Sequence, residues 1–496
     1  MSMISVQNLT FSYDNSYDNI FENVSFQIDT NWKLGFTGRN GRGKTTFFKL
    51  LMNKYEYKGK ILSNINFEYF PFEINNYSEL AINIIQEKSE LEDYNYWKIQ
   101  KELSFLDIDE EILYRPFNSL SGGEQIKILL VSLFLKENAF LLIDEPTNHL
   151  DIKTRKIVSN YLKSKKRFIL ISHDRQFLDN CIDHILCINK TNIEVQKGNF
   201  SSWYENKKRQ DNFEMSQNEK LKKNIYKLEN SAKQSAQWSN KLEKTKNNTR
   251  NSGLKPDRGY IGHKSAKMMK RSKNAETKKQ FAIKEKSNLL KNIESTSDLK
   301  INFLKYNSNR LLNLKNVSLF YSNKKICENI NFEVNKGDRI SLYGKNGCGK
   351  STILNFINGD LKIKFKGIFE KSNALKISYI SQDTSNLSGT LKNFAKLENV
   401  DESLFKTILN KLDFPRTQFE KDISNLSEGQ KKKVLIAKSL CQKAHLYLWD
   451  EPLNFIDILS RIQIENLILK FNPTIVFVEH DENFVKDIAT KIISLN

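Results

Sequence analysis

Gly38-Arg39-Asn40-Gly41-Arg42-Gly43-Lys44-Thr45 fits the pattern G-x-x-x-x-G-K-[ST]. Lys33-Leu34-Gly35-Phe36-Thr37 before it reads as a short buried strand, and Thr46 to Leu51 after it as the first turns of a helix. Strand, glycine-rich loop and helix form the context in which this pattern binds a nucleoside triphosphate. Gly38, Gly41 and Gly43 let backbone N–H groups turn inward around phosphate oxygens, with Asn40 between them, and the helix N-terminus adds its positive dipole end. Lys44 is placed to reach the β- and γ-phosphates, and Thr45, followed by Thr46, to hold Mg²⁺.

The pattern occurs twice. Gly344-Lys345-Asn346-Gly347-Cys348-Gly349-Lys350-Ser351, followed by Thr352, comes after a second strand, Arg339-Ile340-Ser341-Leu342-Tyr343. Further landmarks repeat in order. Leu120-Ser121-Gly122-Gly123-Glu124-Gln125 matches Leu426-Ser427-Glu428-Gly429-Gln430, and Asp144-Glu145-Pro146 matches Asp450-Glu451-Pro452. Ser172-His173-Asp174 matches Glu479-His480-Asp481. Lys44 to Ser121 and Lys350 to Ser427 are both 77 positions, and Ser121 to Asp144 and Ser427 to Asp450 are both 23. A unit of roughly 200 residues has been duplicated, which is an ordinary domain size. Apolar strands ending in acids and alternating with helical stretches predict a mostly parallel α/β sheet in each half.

At 496 residues the chain is long enough for two or three domains with separate cores. Its net charge of +20 points to a polyanionic partner, nucleic acid or an anionic membrane surface. The five cysteines show no CxxC spacing and no even framework, which suits a reducing cytosol and signals neither zinc nor an iron–sulfur cluster. No apolar run reaches the roughly 18–20 residues that cross a bilayer. The chain opens on the alternating Ile4-Ser5-Val6-Gln7-Asn8-Leu9 rather than on a signal peptide, and it stops 16 residues after His480. The expectation is a cytoplasmic protein whose transport role, if any, would need another polypeptide.

Much of the positive charge lies between the halves. From Glu205 to Lys300 there are 25 Lys/Arg against 11 Asp/Glu. Leu221, Ile225, Leu228 and Ala232 form a heptad-like seam, and the helix breakers Gly253, Pro256, Gly259 and Gly262 cluster before a second helical stretch near His263. The reading is an antiparallel helical hairpin with arms of about 40 residues, each about 60 Å long. The expected organisation is a first nucleotide-binding domain at 1–203, a basic hairpin linker at 204–305 with its tip near 247–262, and a second domain at 306–496.

Asp144 and Asp450 end apolar strands, where a carboxylate can hold Mg²⁺. Glu145 and Glu451 follow at once, placed to orient or deprotonate the attacking water. His173 and His480 keep one register after these acids and are read as sensing the γ-phosphate. Together these motifs resemble the ATP-binding cassette (ABC) ATPases over both halves. The resemblance implies two tandem ABC-type P-loop ATPase domains joined by the hairpin, with ATP and Mg²⁺ as cofactors. It implies that Ser121 and Gly123, and Ser427 and Gly429, face the P-loop of the opposite half. The two composite sites would pair Lys44 with Ser427 and Lys350 with Ser121. Tyr13 and Tyr321 lie where the family stacks an aromatic on adenine, and Gln382 looks like the glutamine that reaches the metal. Departures are Phe72 where the first half should carry that glutamine, Glu428 at a usual glycine, and Leu453-Asn454-Phe455-Ile456-Asp457 against Thr147-Asn148-His149-Leu150-Asp151. The expectation is slower hydrolysis at the Lys44 site.

Two cassettes with a basic helical linker resemble the ABC-F class of ribosome-associated ATPases. The closest look is to the antibiotic-resistance group of the Lsa and Vga types. This resemblance implies binding of the 70S ribosome at the E site in the ATP-bound form, as a monomer off the ribosome. The linker would lie along P-site tRNA, with its tip near the peptidyl-transferase centre. Leu254, Lys255, Arg258, Tyr260 and Ile261 are the candidate tip residues, and lincosamides, pleuromutilins and streptogramin A the implied drugs. The alternatives are a housekeeping translation factor of the same class, the fused ATPase subunit of a transporter, and a DNA-acting ABC ATPase.

Overall fold

The computed structural model describes residues 3–13, 19–91, 95–147, 150–189, 193–244, 257–289, 299–321, 324–345, 347–415 and 418–495. The chain divides into two compact units, Met1–Ser201 with Thr296–Asn496, and Ser202–Ser295.

The first unit contains both sequence repeats. In the first repeat, six strands lie in the order Asn66–Phe70, Ala139–Asp144, Phe168–Ile171, Lys33–Thr37, His184–Ile188, Ile193–Lys197. The first five are parallel, and the last runs antiparallel to its neighbour. The second repeat builds a five-stranded parallel sheet in the order Ile377–Ile380, Leu446–Asp450, Ile475–Val478, Arg339–Tyr343, Lys491–Ser494. Phe168–Ile171, Ile475–Val478 and Leu446–Asp450 are buried at every position. That is what unbroken apolar runs become when helices cover both faces of a parallel sheet. Each repeat adds a three-stranded antiparallel sheet, with Met3–Phe11 central in one and Arg310–Tyr321 in the other. The P-loop strands therefore sit inside their sheets, and their loops open at the carboxyl ends, where doubly wound sheets bind ligands.

The second unit is helical. Its long helices are Phe200–Lys244 and Arg258–Leu289. The Ser239 and Ser265 hydroxyls lie 2.9 Å apart, the Ser272 hydroxyl donates to the Ala232 carbonyl at 3.1 Å, and Lys279 pairs with Glu229 at 2.7 Å. Numbers rise along one helix as they fall along the other, so the two run antiparallel. Leu221, Ile225, Leu228 and Ala232 are half-buried, and their seam continues to buried Ser239. Small buried residues at the crossing, Ser265, Ser272, Ala275 and Ala282, let the backbones approach.

The second helix starts at Arg258, five residues before the His263 restart expected from the glycines. Asp257 explains the difference. Its carboxylate accepts from the N–H groups of Gly259 and Tyr260, both at 3.0 Å, and caps the helix so that Gly259 and Gly262 fall inside it. Of the candidate tip residues, Tyr260 is exposed with Lys264 over its ring at 5.9 Å, and Ile261 is half-buried. Leu254, Lys255 and the Arg258 side chain lie outside the described residues, as do most of 247–262, Leu290 and Asn346.

Candidate functional site: two nucleotide sites between the repeats

Each P-loop turns through glycines that no other residue replaces cheaply. Gly43 has φ 92°, and a Cβ there would lie 2.5 Å from the Ile20 side chain. Gly349 has φ 97°, and a Cβ there would lie 3.0 Å from Ile326. The buried Lys44 ammonium is held inside its loop, donating to the carbonyls of Gly38 at 2.7 Å and Arg39 at 3.2 Å and to the Asn40 side chain at 3.4 Å. Lys350 donates to the carbonyls of Gly344 and Lys345, both at 2.8 Å. Burial lowers the Lys44 pKa, opposed by the nearby carboxylates of Asp457, Glu145 and Asp144.

Beside each loop stands the strand-end aspartate. Thr45 donates to Asp144 at 2.8 Å, and Tyr69 donates to it at 3.0 Å. Asp450 is buried, and among the described residues neither of its oxygens has a partner in hydrogen-bond geometry, Ser351 being the nearby hydroxyl. Burial pushes its pKa up to about 6. Two buried carboxylate oxygens without partners next to a serine hydroxyl suit a hard divalent cation such as Mg²⁺. Thr45 with Asp144, and Ser351 with Asp450, are therefore the donor sets that fit one.

The glutamates that follow take up left-handed backbone, φ 50° at Glu145 and 46° at Glu451. Their N–H groups reach across to the carbonyls of Ile171 (2.9 Å) and Val478 (3.1 Å) on the next strand. Since those strands lead into the histidines, glutamate and histidine meet. His173 Nε2 lies 3.3 Å from Glu145, and His480 Nε2 lies 3.4 Å from Glu451. The two glutamates nevertheless differ in charge. Burial, then the neighbouring Asp144, pushes Glu145 up to about 7. Burial also opposes ionisation of Glu451, but the His480 hydrogen bond and charge, with Lys432 and Lys350, hold it below the ordinary carboxylate value. Gln382 donates to Glu451 at 3.0 Å, which leaves its amide oxygen for a cation. In the first half Phe72 stands at that position, with Lys88 5.0 Å from its ring. Burial, then Lys44 and Arg461, depress the His173 pKa well below its ordinary value, so the ring is neutral.

Ser121 and Ser427 cap the helices Gly122–Phe134 and Glu428–Cys441, each with a reciprocal capping box. Gly429 lies at the junction of the halves: a Cβ there would lie 3.1 Å from the Asn40 amide of the first half and 2.5 Å from the Phe455 carbonyl of its own. Asn40 itself donates to that carbonyl at 2.7 Å. The first P-loop and the Ser427 helix thus abut, and the second P-loop opens onto a space that both halves line. A cavity of about 510 Å³ is lined by Gly349, Lys350, Ser351, Glu451 and His480 of the second half and by Leu150 and Arg155 of the first. Gly123 packs near Leu150 and Thr154 of its own half. Thr46 is buried, with Tyr13 hydroxyl to hydroxyl at 2.8 Å, and the Tyr13 ring is partly exposed. Tyr321 is exposed at the end of its strand, and Thr352 lines the cavity. Glu428 binds Thr384 and Lys431 of its own half.

Sequence reasoning missed a pair of arginines. Arg155 donates to the Leu150 carbonyl and pairs with Asp174 at 3.2 Å, and it also donates to the His480 carbonyl of the other half at 3.2 Å. Arg461 donates to the Ile456 carbonyl and pairs with Asp481 at 3.4 Å. The signal was present: each arginine follows Asp151 or Asp457 by four residues, after Thr154 or Ser460. Arg175–Glu465 and Lys156–Glu482 add ion pairs between the halves.

The known proteins fit this arrangement. The family model described as "ABC transporter" matches residues 21–148 and again 327–454. The chain is 29% identical to "ATP-binding protein Uup" of Buchnera aphidicola, across 99% of this chain and 80% of that one. It is 27% identical to "Ribosome protection protein VmlR" of Bacillus subtilis, across 98% and 86%. Among solved structures, the archaeal ribosome recycling factor aABCE1, in complex with the ribosomal stalk protein aP1, aligns with a TM-score of 0.61 at 17% identity. That alignment covers 98% of this chain and 87% of the other, and bears on the fold. With the family model matched once in each half, over the stretch that runs from P-loop to acidic pair, the chain belongs to the ABC transporter family and is a two-cassette ATPase of the ABC-F type.

Proposed function

We propose that this ATPase works on the ribosome and protects translation from drugs bound at the peptidyl-transferase centre. The observation that carries the reading is likeness along 98% of the chain to a relative named as a ribosome protection protein. In the same chain a helical unit, Ser202–Ser295, with 24 basic against 10 acidic residues, is inserted in sequence between two nucleotide sites. Residues 1–203 and 306–496 act as the two cassettes and 204–305 as the linker. ATP bridges Lys44 to Ser427 and Lys350 to Ser121, with Tyr13 and Tyr321 at the adenines. The paired halves close, and the cationic linker lies on RNA, where its charge offsets phosphate repulsion. Thr45 with Asp144, and Ser351 with Asp450, hold Mg²⁺. Glu145 and Glu451 position the attacking water, the histidines sense the γ-phosphate, and hydrolysis lets the protein leave.

In this reading the protein binds the 70S E site beside P-site tRNA. The linker segment around Leu254, Lys255, Arg258, Tyr260 and Ile261 displaces lincosamide, pleuromutilin or streptogramin A. In ATP, the Glu145→Gln/Glu451→Gln double variant should sediment with 70S particles, and a variant that sediments free of them refutes the ribosome reading. Likeness to an ATP-binding protein without a resistance role in its name favours a second reading, a housekeeping ABC-F factor. A drug panel in a sensitive host separates the two: raised inhibitory concentrations support protection, and unchanged ones the housekeeping role.

A further inference from the structure

The two nucleotide sites are closed by different contacts. In the first P-loop, Arg39 is buried, with its Nε 3.8 Å from the Asp413 carboxylate of the second half. Arg42 lies 3.3 Å from the same oxygen. The Arg39 carbonyl also accepts from the Lys44 ammonium at 3.2 Å, so the residue that meets Asp413 helps to hold the phosphate-binding lysine. Asp413 is fixed in turn. It follows the helix Glu402–Lys411, takes φ 56° and donates its N–H to the Asn410 carbonyl at 3.1 Å. The preceding carbonyl, that of Leu412, accepts from buried Lys433, which pairs with fully buried Asp457 at 2.9 Å.

The other P-loop lacks these groups. Lys345 and Cys348 stand where the first loop has Arg39 and Arg42. Among the described residues no ion pair joins Lys345 to the first half. A thiol cannot replace a guanidinium fork, and a lysine offers a point charge on a flexible stem. Asp107 stands at the position matching Asp413, and among the described residues no ion pair joins it to the second half.

We propose that Asp413 is a positioning residue for the Lys44 site. Clamped by Arg39 and Arg42, it latches the first P-loop to the second half. ATP in the Lys44 site is then held through the cycle, while the Lys350 site opens first. This rests on the ATPase activity and on the pairing of Lys44 with Ser427, and not on the ribosome as partner.

The test uses the full chain with one site loaded at a time. Dissociation of a fluorescent ATP analogue with Mg²⁺ is followed from the Lys350→Ala chain, where only the Lys44 site binds, and from the Lys44→Ala chain. Asp413→Asn should speed release about tenfold from the first and leave the second within twofold. Asp413→Glu should restore slow release, and Arg42→Gln combined with Asp413→Asn should be no worse than Asp413→Asn alone. A merely structural role predicts faster release from both chains and additive effects of the two substitutions. Equal acceleration at both sites, or none at the Lys44 site, overturns the proposal. If Asp413→Asn does not fold, Arg42→Gln alone gives the same site-selective readout.

Discussion

Glu145 and Glu451 occupy matching positions but carry protons differently, and this should be visible in the kinetics. Burial and Asp144 push Glu145 up to about 7, whereas Glu451 lies below the ordinary carboxylate value. A group titrating near 7 is about one-tenth ionised at pH 6 and about nine-tenths at pH 8, so its capacity as a base rises about tenfold across that interval. Bound ATP with one Mg²⁺ still carries net negative charge, which works against a fall in this pKa. The perturbation is to silence one site at a time. In Glu451→Gln, hydrolysis reports the Lys44 site, and in Glu145→Gln the Lys350 site. Single-turnover rates at pH 6, 7 and 8 should climb about tenfold in the first variant and stay flat within about twofold in the second. At pH 7 the Lys44 site should also be the slower, because half of its base is protonated and Phe72 stands where Gln382 supports Glu451 in the other half. A flat profile in Glu451→Gln, or a faster Lys44 site at pH 7, refutes the argument from unequal glutamates.

Stability should show the same inequality. A carboxyl whose folded pKa is raised from 4.5 to about 7 keeps its proton in the native state while the unfolded chain has lost it. Its contribution therefore falls as pH rises through that window, by about 3 kcal/mol in all. Glu145→Gln should raise the denaturation midpoint at pH 8 and change it little at pH 4.5, whereas Glu451→Gln should gain nothing at pH 8. Gly429→Ala should abolish ATP-dependent closure at the Lys44 site, measured as nucleotide trapping, because its Cβ would press on the Phe455 carbonyl of its own half at 2.5 Å and on the Asn40 amide of the first P-loop at 3.1 Å, where Asn40 joins the halves; retained trapping would show that the backbone there yields. Deleting residues 250–262 should abolish drug protection and keep ATPase activity, and unchanged protection would remove that segment from the mechanism.

The sequence exposes what is written in local order and hides what depends on the opposite half. Lys44, Thr45, Asp144 and Glu145 lie on one sheet edge because successive strands end there, so strand, loop and acid spacing alone brought them together. The Glu–His contacts were legible for the same reason, since parallel neighbours place Ile171 and Val478 beside the acidic pairs. The start of the second linker helix was misread because glycines were given the weight of breakers. A helix end is decided by who satisfies its first N–H groups, and Asp257 does so just ahead of Gly259. Asp413 is the harder case. It sits in no motif, and its partners are 371 and 374 positions away. Its importance depends on two arginines being present in one P-loop and missing from the other. Duplication makes that difference readable once the pairing is known: a residue that breaks the repeat has been released from the constraint its twin obeys. Arg39, Arg42 and Phe72 break it around the Lys44 site, on the same side as Glu145, whose pKa is pushed up to about 7. The unequal chemistry predicted for the two sites thus draws on residues from both halves.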